Sequence, residues 1–164
     1  MGTTLGVIMD PIQSISFTKD STLAILLAAQ RQGFELFYMQ QQDLFLENGE
    51  PRASMTPMRV FDDPAHWLEL GESRVAALEE MDVLLMRKDP PFDSEFIYST
   101  YILEAAEQRG SLVVNKPQSL RDCNEKVFAT QFPQCTPPLL VSREQARLRM
   151  FLAEHKDVVY KPLD

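Results

Sequence analysis

Three apolar runs in this sequence stop at the same kind of boundary, a polar residue followed directly or shortly by proline. Leu5-Gly6-Val7-Ile8-Met9 ends at Asp10-Pro11, Val83-Leu84-Leu85-Met86 at Arg87-Lys88-Asp89-Pro90-Pro91, and Leu112-Val113-Val114 at Asn115-Lys116-Pro117. Short, bounded apolar runs of this kind read as buried strands. Proline has no N–H to give to a ladder, so none of the three can continue as a central strand past it.

The intervening sequence supplies helices. Asp20 or Ser21 can cap a helix in which Leu23, Leu26, Leu27 and Gln30 follow the 3.6-residue period, and Gly33 suits its C′ position. Residues 34–38 then alternate with aromatic enrichment, as a strand does. Strand, helix and strand within about forty residues make a βαβ unit and predict parallel pairing. Asp93 caps a second, longer helix through Arg109, with Glu95 in its first turn and Gly110 beyond its end. Asn48-Gly49, between apolar segments at 44–46 and 52–60, is a strong hairpin signal and predicts an antiparallel excursion. Residues 67–70 lean towards strand. Further on, the pattern predicts a short helix from about Asn124 to Phe132 and a strand at 139–141. A helix over about 144–155 and a last strand at 158–160 complete the reading. The fold class is α/β: an open, mostly parallel sheet with helices on both faces.

The bulk properties exclude several functions. At 164 residues, 45% of them apolar, the chain can bury a substantial core. A net charge of −8 disfavours nucleic acid and anionic membrane as partners, although a local basic cluster could still hold a small anion. No stretch approaches the ~20 apolar residues of a membrane helix, and the first residues lack an export signal. Cys123 and Cys135 form no C-x-x-C and read as reduced cytosolic thiols. His66 and His155 stand apart in amphipathic sequence and suggest no ligand pair. Neither a dinucleotide-binding G-x-G-x-x-G nor a P-loop is present, and no local motif suggests a nucleophile–histidine–acid set.

In an open parallel sheet, ligands bind beyond the carboxyl ends of the strands, where the loops converge. The fold read here puts Asp10, Arg87, Lys88, Asp89, Asn115 and Lys116 along one such edge. Arg87 is the most informative of them, because a guanidinium can hold a substrate carboxylate bidentately. It can equally pair with Asp89 or neutralise a helix end. Asp10 before proline has the plainer role of turn former. Lys126 stands in the first turn of its helix, against the dipole preference, as a surface residue or one recruited for an anion. Lys161 ends the final predicted strand. The methionines show no ligand spacing and read as core filling.

Two long segments go further than the fold. Met86-Arg87-Lys88-Asp89-Pro90-Pro91-Phe92-Asp93-Ser94-Glu95-Phe96-Ile97-Tyr98 closely resembles the bacterial glutathione synthetase family. So does Val113-Val114-Asn115-Lys116-Pro117-Gln118-Ser119-Leu120-Arg121-Asp122-Cys123-Asn124-Glu125-Lys126. The opening Gly6-Val7-Ile8-Met9-Asp10-Pro11-Ile12 and the closing Lys161-Pro162-Leu163-Asp164 are similar to the same family. The resemblance runs in order over the whole chain.

That family belongs to the ATP-grasp ligases. The resemblance implies ATP-dependent joining of γ-glutamylcysteine and glycine through an acyl-phosphate, with Mg²⁺ or Mn²⁺ assisting phosphoryl transfer. By matching position, Lys126 and Lys161 resemble the lysines that hold ATP phosphates. Arg87, Asp89 and Asn115 fall in the part that resembles the dipeptide-binding domain. The implied division is a pre-ATP-grasp substrate domain over 1–123 and the incomplete start of a nucleotide-binding domain over 124–164. In the family, Lys-Pro-Leu-Asp leads into a glycine-rich loop, with acidic metal ligands later still. The resemblance therefore implies a further ~100–150 residues that ATP and metal binding require, and an isolated chain without turnover. It also implies a cytoplasmic protein and a possible homo-oligomer. Two other readings stand beside this one: a non-catalytic α/β binding module, and another ATP-grasp carboxylate–amine ligase.

Overall fold

A computed structural model describes residues 2–89 and 91–163. Pro90 of the expected Pro-Pro loop and Asp164 of the closing motif lie outside the described residues. Strand β1 (Thr4–Met9) leads through helix α1 (Ser21–Arg31) to β2 (Glu35–Met39), which pairs parallel to β1. The Asp20 side chain accepts the Leu23 N–H at the start of α1, and Gly33 leaves the helix with φ of 86°. Both ends are therefore set by local chemistry.

The chain then makes its antiparallel excursion. Strands β3 (Leu44–Glu47) and β4 (Glu50–Val60) join at Asn48 and Gly49, whose φ values of 52° and 80° suit the tight turn between twisted strands. The long β4 pairs with β2, with β3, and with the short strands β5 (Leu68–Leu70) and β6 (Arg74–Ala77). β5 agrees with the strand expected around residues 67–70, whereas β6, Arg-Val-Ala-Ala, is too short and weakly apolar to stand out in the pattern.

The parallel sheet resumes at β7 (Val83–Arg87), which lies on the other side of β1. Helix α2 (Ser94–Gln108), capped by Asp93 onto the Phe96 N–H, carries the chain to β8 (Leu112–Val114) beside β7. The parallel order is thus β2-β1-β7-β8. One crossover moves outward from β1 in one direction and the next moves outward from β7 in the other. Right-handed crossovers running in opposite directions place their helices on opposite faces. Accordingly Leu5, Val7 and Met9 pack with Leu23, Leu26 and Ala29 of α1, whereas Ile8, Met39 and Leu84 pack with Phe96, Leu103 and Ala106 of α2. The α/β class and the two-faced sheet agree with the expectation.

After β8 come α3 (Pro117–Asp122), α4 (Glu125–Phe128) and, after an irregular stretch, α5 (Gln145–His155). The pattern does not reveal α3, because Pro117 reads as a strand terminator; it occupies the first turn of a helix, where its missing N–H costs nothing. Residues 139–141 and 158–160 correct the reading: neither segment is a strand. Among the described residues no neighbouring strand offers them a ladder, and an apolar run without a partner edge does not make a strand. Leu139, Val141, Val159 and Tyr160 are exposed instead, as is much of α5, which has no buried residue.

Candidate functional site

Two cavities open at the carboxyl edge of the parallel sheet, and one residue, Lys88, lines both. The first, about 440 Å³, lies between the ends of β7 and β8 and the short helices α3 and α4. The second, about 540 Å³, lies over the ends of β1 and β2 and against the first turns of α2. Both are within the size range of small-molecule sites. Their position follows from the winding. β1 and β7 are neighbours whose crossovers leave in opposite directions, so the loops part above them and leave a crevice.

In that crevice Lys88 Nζ lies 2.9 Å from Asp10 Oδ1 and donates to the Asp89 carbonyl at 2.6 Å. The other Asp10 oxygen accepts the Asp89 N–H at 3.0 Å. Asp10 therefore does more than form a turn: it ties the end of β1 to the end of β7. The Lys88 side chain is only 17% exposed, so its charge acts in a partly desolvated setting.

The first cavity collects cations. Lys88, Lys116 and Lys126 line it with Glu125 as the acid, in a chain that carries net negative charge. Asn115 and Ser119 add polar side chains to the wall, and Phe92 and Phe96 add apolar ones. The peptide bond joining Val114 to Asn115 is cis. α4 holds Lys126 in place through Asn124, whose side-chain oxygen accepts the N–H groups of Lys126 and Val127. The Lys126 ammonium stands 4.0 Å from the Glu125 carboxylate. Such a group of ammonium ions and amides is suited to a phosphate or carboxylate.

Of the expected site residues, Asn115 and Lys126 share this cavity. Arg87 lines neither cavity. It is exposed and donates from Nε to the Thr22 hydroxyl (3.1 Å) and from Nη2 to the Ser21 hydroxyl (2.9 Å), at the start of α1. Among the described residues it makes no ion pair, with Asp89 or otherwise. Asp89 contributes its backbone to the crevice, while its side chain is not among those lining the two cavities. Lys161 is exposed in the extended segment after α5, and the nearby Leu163 carbonyl accepts a 3.5 Å bond from the Asn124 amide. The last described residues therefore run back towards α4.

Sequence reasoning puts Lys88 on this edge without giving it a role, and does not single out the amides of Gln40, Gln41 and Gln42 that line the second cavity with Glu95 and Tyr98. The signal available was position: each lies at the end of a parallel strand or in the turn that follows it. Among the described residues no group of three or more His, Cys, Asp or Glu side chains converges on a possible metal. Among them, too, no helix is long and apolar enough to cross a membrane.

Comparison with known proteins bears on both parts of the chain. The family model for the prokaryotic glutathione synthetase N-terminal domain matches residues 3–121, and that for the ATP-grasp domain of the same family matches residues 125–164. The glutathione synthetase of Pseudomonas putida is 64% identical over all 164 residues, which cover 52% of its length. That of Pseudomonas aeruginosa is 61% identical over the same span, again 52% of its length. The Yersinia pestis protein is 54% identical over 160 residues, 98% of this chain and 50% of the relative. The chain spans about half the length of the curated relatives it matches.

Proposed function

The chain belongs to the prokaryotic glutathione synthetase family, and on that premise we propose that it supplies the substrate-binding part of an ATP-dependent ligase joining γ-glutamylcysteine to glycine. Residues 1–123 act as the substrate domain and residues 124–164 begin the nucleotide-binding domain. The observation that carries the proposal is the cationic cavity at the carboxyl edge of the sheet, where Asn115 of the first part and Lys126 of the second face the same space.

In this reading Lys126 and Lys161 hold ATP phosphates, while Arg87, Asp89 and Asn115 serve the dipeptide. The ammonium groups around the first cavity fit phosphate oxygens, and their charge offsets what gathers on the transferring phosphoryl group. ATP supplies the activation of the dipeptide carboxylate as an acyl-phosphate. The chain's residues bind and orient the reactants, with Phe92 and Phe96 keeping one wall of the cavity apolar. The described residues do not form a cluster that fits Mg²⁺ or Mn²⁺. Cys123 and Cys135 are free and exposed, which suits a reducing cytoplasm.

The test joins this chain in frame to the remaining half of the P. putida relative. The joined protein is expected to form glutathione and ADP from γ-glutamylcysteine, glycine and ATP, and the 164-residue chain alone is expected to form none. Lys126→Ala and Lys161→Ala should raise the KM for ATP, and Arg87→Lys the KM for the dipeptide. A folded joined protein without ATP-dependent ligation would overturn the proposal, as would turnover by the chain alone.

A further inference from the structure

Helix α3 has only six residues, too few to be stable by its own backbone bonds, so its place is set by what it packs against. Yet it supplies much of the first cavity's wall. Lys116, Ser119, Leu120 and Cys123 line that space, and they recur at the three- and four-residue spacing that brings side chains to one side of a helix. Arg121 stands next to that stripe, lines neither cavity, and reaches α2 instead. Its Nη1 donates to the Thr100 hydroxyl at 3.1 Å, and its Nη2 donates to the two Glu104 carboxylate oxygens at 3.0 and 2.9 Å. The guanidinium carbon lies 4.6 Å from the centre of the Tyr101 ring. Thr100 is fully buried, and the Arg121 side chain is only 16% exposed. Leu120 packs against the core beneath, but an apolar contact fixes no direction. Arg121 supplies the direction.

We propose that Arg121 is a positioning residue of the first cavity: it locks α3 onto α2, and so fixes where Lys116, Ser119 and, through the turn that follows, Lys126 present their polar groups. The inference rests on the ligase reading above and adds a residue that touches no reactant. Cys123 ends α3 and Asn124 caps α4, so no spacer between the helices absorbs a shift of one before it reaches the other. The Asn124 side-chain oxygen holds the N–H groups of Lys126 and Val127, and a rotation of α3 is carried through it to Lys126. The clamp thus sets the start of the nucleotide-binding part upon the last helix of the substrate part. Its charge-assisted bonds are partly desolvated and hold that geometry more firmly than a surface pair would. A lysine at 121 keeps the charge. It cannot reach Thr100 and Glu104 together, nor lay a flat face on Tyr101.

Two measurements test this, each at a temperature where circular dichroism shows the variant fully folded. In the joined protein, Arg121→Lys should raise the KM for ATP about tenfold and change kcat less. A loss of stability alone would lower the active fraction, and with it the apparent kcat, while leaving KM in place. The second measurement needs no turnover and uses the 164-residue chain carrying Cys135→Ser. The rate of the Cys123 thiol with the anionic reagent 5,5′-dithiobis(2-nitrobenzoate) is divided by its rate with neutral iodoacetamide. Lys116 and Lys126 line the cavity with Cys123 and favour the anion, so Arg121→Lys should lower this ratio about threefold or more at low salt. Glu104→Gln removes the other half of the clamp, should move both readouts the same way, and serves if the arginine variant does not fold. An unchanged KM for ATP in an active joined protein, or an unchanged rate ratio in the chain, would overturn the proposal and leave Arg121 as a brace for stability alone. A lowered ratio beside a joined protein that makes no glutathione means that the clamp stands and the ligase reading fails.

Discussion

Lys88 Nζ and Asp10 Oδ1 stand 2.9 Å apart, joining the ends of two parallel strands at the place where the chain changes its direction of winding. Asp10 also accepts the Asp89 N–H, so its carboxylate braces the loop that follows β7 as well as facing the lysine. The pair is partly buried on both sides, and its charges are stronger there than they would be in water. A crevice that the topology opens is thereby lined with fixed charge.

The sheet beneath the crevice leaves little room for added volume at Gly6. An alanine Cβ there would lie 2.6 Å from Met39 Cε and 2.9 Å from Leu84 Cδ2, both side chains fully buried. Gly6→Ala is expected to lower the unfolding free energy by about 1–3 kcal/mol, the usual cost of overpacking. Urea denaturation measures this, and an unchanged midpoint would show that the Met39 end swings aside.

Tyr38 couples the core to the turn after β1. Its hydroxyl accepts the buried Ile12 N–H at 3.2 Å, so Tyr38→Phe leaves that donor unpaired and should cost about 1–3 kcal/mol. Burial pushes the phenol above its ordinary 10.0, with the carboxylates of Asp43 and Asp10 adding to the effect and the Ile12 N–H opposing it. The folded form keeps its proton after the unfolded form has lost it. This contribution to stability is therefore complete below pH 10 and lost as pH rises through the folded value. Urea midpoints from pH 8 to 11 should fall more steeply for the wild-type chain than for Tyr38→Phe.

Asp82 behaves in the opposite sense at acid pH. The Thr4 N–H (2.8 Å) and the Thr4 hydroxyl (2.9 Å) donate to its carboxylate and hold it below the ordinary 3.8. The stabilisation is present above pH 3.8 and lost as pH falls through the lower, folded value. Asp82→Asn should flatten the stability profile below about pH 4. A profile that keeps the wild-type slope would place the acid sensitivity elsewhere.

Protection against hydrogen exchange should be uneven. α5 has no buried residue, and Met150, Val159 and Tyr160 are each more than 70% exposed. Segments with few buried contacts open at low free energy. Amides of α5 are expected to exchange well before those of β1 and β7, whose side chains are largely buried on both faces. Equal protection would mean that α5 is covered, by another copy or another chain.

What the sequence determined by itself is what neighbouring residues decide. Asp20 and Asp93 cap their helices because each side chain reaches the N–H three residues on, within its own turn. Asn48 and Gly49 turn the hairpin because both adopt positive φ, and proline stops the strands because it lacks a donor. The family motifs were likewise contiguous. Tertiary structure decided which strand-end side chain faces which space. Successive residues of a strand point to opposite faces, so Arg87 turns to the hydroxyls of α1 while Lys88 enters the crevice. That difference is one position, and composition carries no sign of it. Residues 139–141 and 158–160 show the same limit: their apolar pattern is that of a strand, but a ladder needs a second edge, and only the folded chain decides whether one is there.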